Sequence, residues 1–238
     1  MTRKHYYFLV AATRLTSDAP LLWMFYFLHF PRRGSGGAGD ALWNAILFAV
    51  FAGMHSLFAR EAPKRMVARL VGPAFVRIAY VILSGVTLAL LLHLWRPVSG
   101  ELWQASGYAW WLLTAAYAAS VLALIHIPSY FDYHDFLGLR QIARSLAGEP
   151  SSPTALSVKG PYAYCRHPMY LAMLAVFWVG PAMSYTRLEF ALLGTLYLFA
   201  GLVFEEGNLR RELGASYELY SANVPMLIPR LTPWHYHE

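Results

Sequence analysis

Two short polar segments carry the residues of this chain that are able to do chemistry. Lys159-Gly-Pro-Tyr-Ala-Tyr-Cys-Arg-His-Pro-Met-Tyr170 is the first, and Glu205-Glu206 is the second. Gly160-Pro161 sets a turn whose backbone amides and carbonyls can face a ligand, and His167-Pro168 opens a helix with proline in its favoured first turn. Arg166 and His167 then stand at a helix N-terminus, where the helix dipole reinforces an arginine suited to gripping a carboxylate through two parallel bonds. Tyr162, Tyr164 and Tyr170 add hydroxyls and flat faces that suit an aromatic heterocycle. Glu205 and Glu206 can meet an ammonium or another positive centre, although neighbours on a helix point ~100° apart and so cannot share one job. A ligand both zwitterionic and heteroaromatic matches these groups. S-adenosylmethionine has an amine, a carboxylate, a cationic sulfonium and a flat adenine, and other nucleotides share part of that list.

The elements that must position these residues are membrane spans. Of 238 residues, 58% are hydrophobic and only 13% charged, a balance outside the range of ordinary soluble domains. Polar groups beside spans are costly and point to function. Because a helix needs roughly 20 apolar residues to cross a bilayer, the apolar runs predict an all-α, multi-pass bundle of about five to six spans. They fall near 6–30, 41–59, 75–95 and 108–127 in an N-terminal part (1–127), and near 168–183 and 188–204 in a C-terminal part (161–238). Arg14, Asp18 and Pro20 interrupt the first of these, which predicts a segment that is broken, tilted or preceded by an interfacial helix. The apolar run after Arg3-Lys4 is short and no small-residue cleavage site follows it, so no cleavable signal is expected.

With six spans and an inside N-terminus, fourteen of the nineteen Lys and Arg residues fall on one side, among them Arg60, Lys64, Arg65, Arg69, Arg140, Arg144, Lys159, Arg166, Arg210 and Arg211. The positive-inside rule then places both termini and the 159–170 cluster in the cytoplasm. Contact with anionic lipid heads accounts for the net charge of +6. Nucleic-acid binding is not required. The stretch 128–160 reads as a cytoplasmic interfacial loop, aromatic over Ser129–Gln141 and flexible over Gly148–Thr154.

The single cysteine, Cys165, excludes an internal disulfide framework and reads as a small buried hydrophobe. Nine histidines raise the question of a metal, and His126, Asp132, His134 and Asp135 lie close in sequence. No His-x-x-His-His or Glu-x-x-His pair occurs, so no catalytic metal is expected. The absence of a two-fold repeat and the crowding of polar residues toward one face argue against a transporter.

Gly160-Pro-Tyr-x-x-x-Arg-His-Pro-x-Tyr170, Glu205-Glu206, Leu213-Gly-x-x-Tyr-x-x-Tyr220 and Val224-Pro-Met-Leu-Ile-Pro229 together resemble the C-terminal half of the isoprenylcysteine carboxyl methyltransferase and phospholipid methyltransferase superfamily. Phe51-Ala-Gly-Met-His-Ser56, Tyr80-Val-Ile-Leu-Ser84, Trp95-Arg-Pro97 and Phe136-Leu-Gly-Leu-Arg-Gln141 look like the methanethiol S-methyltransferase and NnrU-like branch. The first forty residues depart from that branch, as does Gly207-Asn208, where it carries Arg-Asp.

The resemblance implies a membrane-embedded enzyme that uses S-adenosylmethionine. Lys159, Gly160, Pro161, Tyr162, Arg166, His167, Tyr170, Glu205 and Glu206 would line the cofactor site, with Pro225 and Ile228 in a capping segment. Arg166 would bind the cofactor carboxylate or orient the acceptor, and Glu206 would supply the counter-charge to the ligand's positive centre. The expected acceptor is a small or lipophilic thiol, with a prenylcysteine carboxylate or a phospholipid amine as alternatives and a non-catalytic membrane scaffold as the reading of another class. A thiol of pKa ~8.5 ionises readily beside a cation, a role open to Arg166, His167 or the mid-span His55. Membrane lipids are the other expected partners.

Overall fold

A computed structural model describes residues 3–30, 32–130, 137–147 and 156–235. The aromatic stretch at 131–136 and the Gly148–Thr154 loop lie outside them, as do the metal candidates Asp132, His134 and Asp135.

The structure is overwhelmingly helical. Its helices are α1 (Arg3–His29), α2 (Ala38–Phe58), α3 (Glu61–Val71), α4 (Val76–Leu94), α5 (Gly107–His126), α6 (Leu139–Ala147), α7 (Pro168–Trp178), α8 (Tyr185–Leu213) and α9 (Ala215–Asn223). Two short strands, β1 (Glu101–Gln104) and β2 (Ala182–Ser184), pair with each other. Among the described residues, four stretches are long and apolar enough to cross a membrane: Ala38–Phe58, Pro73–Leu94, Gly107–Tyr130 and Tyr185–Leu213. This is an all-α integral membrane bundle.

Three departures from the sequence expectation have local causes. The first segment is one unbroken helix of 27 residues with Pro20 inside it. The expected span at 168–183 is helical only over Pro168–Trp178, roughly 16 Å at 1.5 Å per residue. Gly180-Pro181 ends it, because a residue before proline is driven out of the helical region. Conversely, α8 continues well past its apolar run to Leu213, through Glu205–Leu213, which is rich in good helix formers.

The chain forms two compact units. The first holds the described residues within 1–103, 132–151 and 182–189, so α8 begins there. In this unit α4 packs against both α1 and α2. Pro20 lacks the N–H that the Thr16 carbonyl would accept in a regular helix, and that carbonyl is aimed at Gly85 of α4. A Cβ on residue 85 would sit 1.7 Å from the Thr16 oxygen. Close approach through glycine is a common device where helices associate in lipid.

One end of this unit is closed by its connecting segments. Asn44, fully buried, donates to the Arg96 carbonyl (2.8 Å) and to Glu189 (2.9 Å), and accepts from the Arg96 N–H (2.8 Å). The Val98 N–H donates to Thr186 (2.9 Å), and Ser99 N–H to the Gly36 carbonyl (2.9 Å).

The second unit holds the described residues within 104–131, 152–181 and 190–238. Here α7 packs on α5, and α8 passes Phe177 of α7 at Gly194, where a Cβ would meet the ring at 2.6 Å. Tyr217, Tyr220 and Val224 form a buried cluster with Trp234 packed against it, drawing the C-terminal segment onto α9.

Gly85→Ala is expected to destabilise the protein by roughly 1–3 kcal/mol through overpacking. The check is the thermal midpoint in detergent, and an unchanged midpoint would refute the close contact with Thr16.

Candidate active site

The turn that precedes α7 is built on a glycine. Gly160 has φ +55°, and a Cβ there would lie 2.2 Å from the Tyr130 ring, so both conformation and space require glycine. Pro161 follows inside the 3-10 turn Gly160–Ala163, and Lys159 is exposed just before it.

The C-terminal segment lies along this turn through main-chain bonds. The N–H groups of Arg166 and His167 donate to the carbonyls of Pro225 (2.9 Å) and Met226 (3.1 Å). Those of Arg230 and Trp234 donate to the carbonyls of Tyr164 (3.0 Å) and Ala163 (2.9 Å). The Tyr220 hydroxyl donates to the Tyr162 carbonyl (2.7 Å). Residues 225–234 thus act as a strap over 162–167. Pro225 takes part through its carbonyl, while the Ile228 side chain points away and is 82% exposed.

At the centre stands Glu206, only 6% exposed. Arg166 grips its carboxylate with Nε on Oε1 (2.9 Å) and an Nη on Oε2 (3.1 Å). His167 Nε2 lies 2.7 Å from Oε1, and the Tyr217 hydroxyl donates to the same oxygen at 2.7 Å. Arg210, one turn further along α8, is 3.6 Å from Oε2. The remaining guanidinium nitrogen of Arg166 donates to the carbonyls of Ser221 (2.9 Å) and Val224 (2.7 Å).

Arg166 therefore uses its fork on a carboxylate, as its residue type suggests, but the carboxylate belongs to the protein. Glu206 is likewise paired with Arg166. Burial pushes the Tyr217 phenol well above the ordinary tyrosine value, and its bond to Glu206 adds to the push, so Tyr217 stays a donor through the neutral and mildly alkaline range. Tyr217 and Tyr220 read from sequence as packing as much as chemistry. Their i, i+3 spacing on α9 is the signal that places both hydroxyls on one face.

Glu205 has a different environment. Its side chain is 43% exposed, and its carboxylate lies 3.9 Å from His167 Nδ1, too far for a hydrogen bond. The Tyr162 phenol is raised first by burial and next by the Glu205 charge. Tyr170 meets His167 edge-on, with centroids 5.4 Å apart. Glu205 and Tyr170 thus both stand beside His167, whose Nε2 is taken by Glu206.

Cys165 is 2% exposed, and burial pushes its thiol up, outweighing a bond from the His167 backbone. His55 belongs to the first unit, where Nδ1 is 3.0 Å from Ser84 Oγ and Nε2 is 2.9 Å from the Tyr80 hydroxyl.

The family profile described as NnrU protein matches residues 45–222. The chain belongs to the NnrU family. It is 40% identical over 194 residues to methanethiol S-methyltransferase 2 of Bradyrhizobium diazoefficiens, covering 81% of this chain and 75% of the relative. It is 35% identical over 190 residues to methanethiol S-methyltransferase of Mycobacterium tuberculosis, covering 78% and 77%. Nurim of Sus scrofa is 33% identical over 180 residues, covering 71% and 67%. No solved structure matches the chain. The NnrU match takes in Arg166, His167, Glu205, Glu206, Tyr217 and Tyr220 and ends before the strap.

Two outcomes test this geometry. Glu206→Gln leaves a buried guanidinium without its counter-charge and is expected to cost ~3–5 kcal/mol; Tyr217→Phe removes one donor among several and costs ~1–2 kcal/mol. Thermal unfolding in detergent measures both, and a Glu206→Gln protein as stable as the parent would contradict the anchor. Cys165 is expected to resist maleimide in the folded protein and to react rapidly once unfolded; fast labelling of the native state would show that its burial is misassigned.

Proposed function

We propose that the chain is an integral membrane methyltransferase that takes its methyl group from S-adenosylmethionine and passes it to a small, lipophilic thiol. The single observation that carries the donor site is the division between the two glutamates. Glu206 is saturated by protein donors, whereas Glu205 is 43% exposed and stands near His167, whose ring Tyr170 meets edge-on. The thiol acceptor rests on the relatives named methanethiol S-methyltransferase.

The residues present fit the donor molecule. Glu205 answers its positive charge, Tyr162 and Tyr170 offer flat surfaces, and exposed Lys159 at the turn answers its carboxylate. When bound, S-adenosylmethionine supplies a methyl group already activated by a sulfonium. The protein's share is then binding, alignment and exclusion of water. Arg166, through Glu206, holds the turn and α8 in register, so that Glu205 and His167 face the same space. The strap closes over the turn at Pro225 and Met226.

Six crossings with both termini and this site in the cytoplasm agree with the distribution of Lys and Arg. The meeting of segments 32–36, 96–104 and 182–189 at one end of the first unit supports that reading, since an alternating path brings them to one membrane face. On this reading α7 and the connection after it make the fifth crossing, and basic residues near the spans contact lipid phosphates.

Glu205→Gln is expected to weaken S-adenosylmethionine binding by about tenfold or more, the effect of losing a partly buried charge–charge contact, with thermal stability close to that of the parent. Calorimetry in detergent reads the affinity. Transfer of a labelled methyl group is expected to methanethiol and ethanethiol, ahead of prenylcysteine analogues and phosphatidylethanolamine. Donor binding without transfer to any of these would instead favour a non-catalytic membrane protein, a reading open to the Nurim relatives, whose name states no reaction.

A further inference from the structure

We infer that the outer face of α1 is an interface between two copies of this chain within the membrane, closed by reciprocal ion pairs between Arg14 and Asp18. The depth of these two charges is the first observation. The Thr16 carbonyl of α1 is aimed at Gly85, and Gly85 is the central residue of α4 (Val76–Leu94), which lies in a stretch able to cross the membrane. Thr16 therefore stands near the middle of the hydrocarbon core. Arg14 and Asp18 flank it by two residues each, about 3 Å along the helix axis.

Exposure is the second observation. On its inward side α1 buries Thr13, Met24, Phe27 and Leu28. On the opposite side Arg14 is exposed and Asp18 half-buried, and Ala11, Leu15, Ala19 and Leu22 are exposed with them. Ser17 donates to Asp18 Oδ1 at 2.8 Å, which steadies the carboxylate on this helix.

Lipid tails do not suit such a face. In a core ~30 Å thick the nearer edge is about 12 Å from Arg14, further than an arginine side chain reaches, so its charge stays among the tails. Ionisable residues at this depth turn toward protein or enclosed water and pair with one another.

Charge identifies the occupant. Arg14 and Asp18 are four residues apart and so are neighbours on the helix surface, giving the face one positive group, one negative group and no net charge. Such a face complements itself. A two-fold axis along the membrane normal sets two copies of α1 side by side and parallel, with Arg14 opposite Asp18 of the partner subunit and the reverse contact made by the same operation. Ala11 and Ala19 bracket the charged level, and small residues there permit the close approach that helices use in lipid.

The test uses the full chain in membranes. In a Cys165→Ala background, which has no other cysteine, Ala11→Cys is expected to form a disulfide-linked dimer on mild oxidation. Leu196→Cys, which is 69% exposed on α8, is not. Charge reversal is the more specific readout, scored by co-purification of differently tagged copies. Arg14→Asp and Asp18→Arg, each expressed alone, set like charges across the axis and are expected to lower co-purification by about tenfold or more.

Expressed together, one variant carries two acidic groups at this level and the other two basic groups, and co-purification is expected to return to the parental level. A defect confined to the folding of each chain would not be repaired by the opposite variant. Recovery in the mixed pair upholds the interface. Failure of that recovery, parental copies that do not associate in membranes, or cross-linking equal at Ala11→Cys and Leu196→Cys would overturn it.

Discussion

A buried carboxylate with four hydrogen-bond contacts organises one end of this molecule. Removing Glu206 from water is costly unless its oxygens are satisfied, and an unpaired charge would make the burial untenable. Arg166 and His167, from the turn before α7, and Tyr217, from α9, meet that requirement. One acidic side chain on α8 thereby fixes the turn before α7, the start of α7 itself and the position of α9. The end of α9 is then held by the same arginine, whose remaining guanidinium nitrogen takes the Ser221 and Val224 carbonyls. The Arg166–Glu206 pair is buried and satisfied within the protein, and the neighbouring Glu205 is the more exposed carboxylate.

In the first unit the controlling constraint is backbone satisfaction in an apolar setting. A proline within α1 frees one carbonyl, and the glycine opposite it on α4 permits the two helices to come close at that point. Asn44 performs a comparable task with its side chain, satisfying both main-chain groups of Arg96 after α4 has ended. Polar residues in this unit are thus used where regular helices stop or are interrupted. The His55–Tyr80–Ser84 set differs, since these side chains bond one another within the spans.

The apolar runs were legible in sequence because the length of a span is set by the bilayer, and residue hydropathy reports that directly. The helices at 38–58, 76–94 and 107–126 stand where such runs are found. Hydropathy does not report where backbone hydrogen bonding ends, which is why α7 is shorter than its apolar run and α8 longer; Gly180-Pro181 carried the first signal and the helix-forming residues after Phe204 the second. In the site, residue types announced a carboxylate grip and an acidic pair. They could not reveal that the grip closes on the pair's own second member, since a ligand carboxylate and the Glu206 carboxylate offer Arg166 the same chemistry. Tyr217 was similarly ambiguous until α9 was seen to bring its hydroxyl onto Glu206.

The central claim is that Glu206 anchors the site and Glu205 receives the methyl donor. A structure of the protein with S-adenosylmethionine or its demethylated product bound tests this most directly. The account predicts the ligand's amino-acid end against Glu205, with its adenine near Tyr162 or Tyr170 and the Arg166–Glu206 pair intact. A ligand carboxylate seated on Arg166, with Glu206 displaced from the guanidinium, would contradict it.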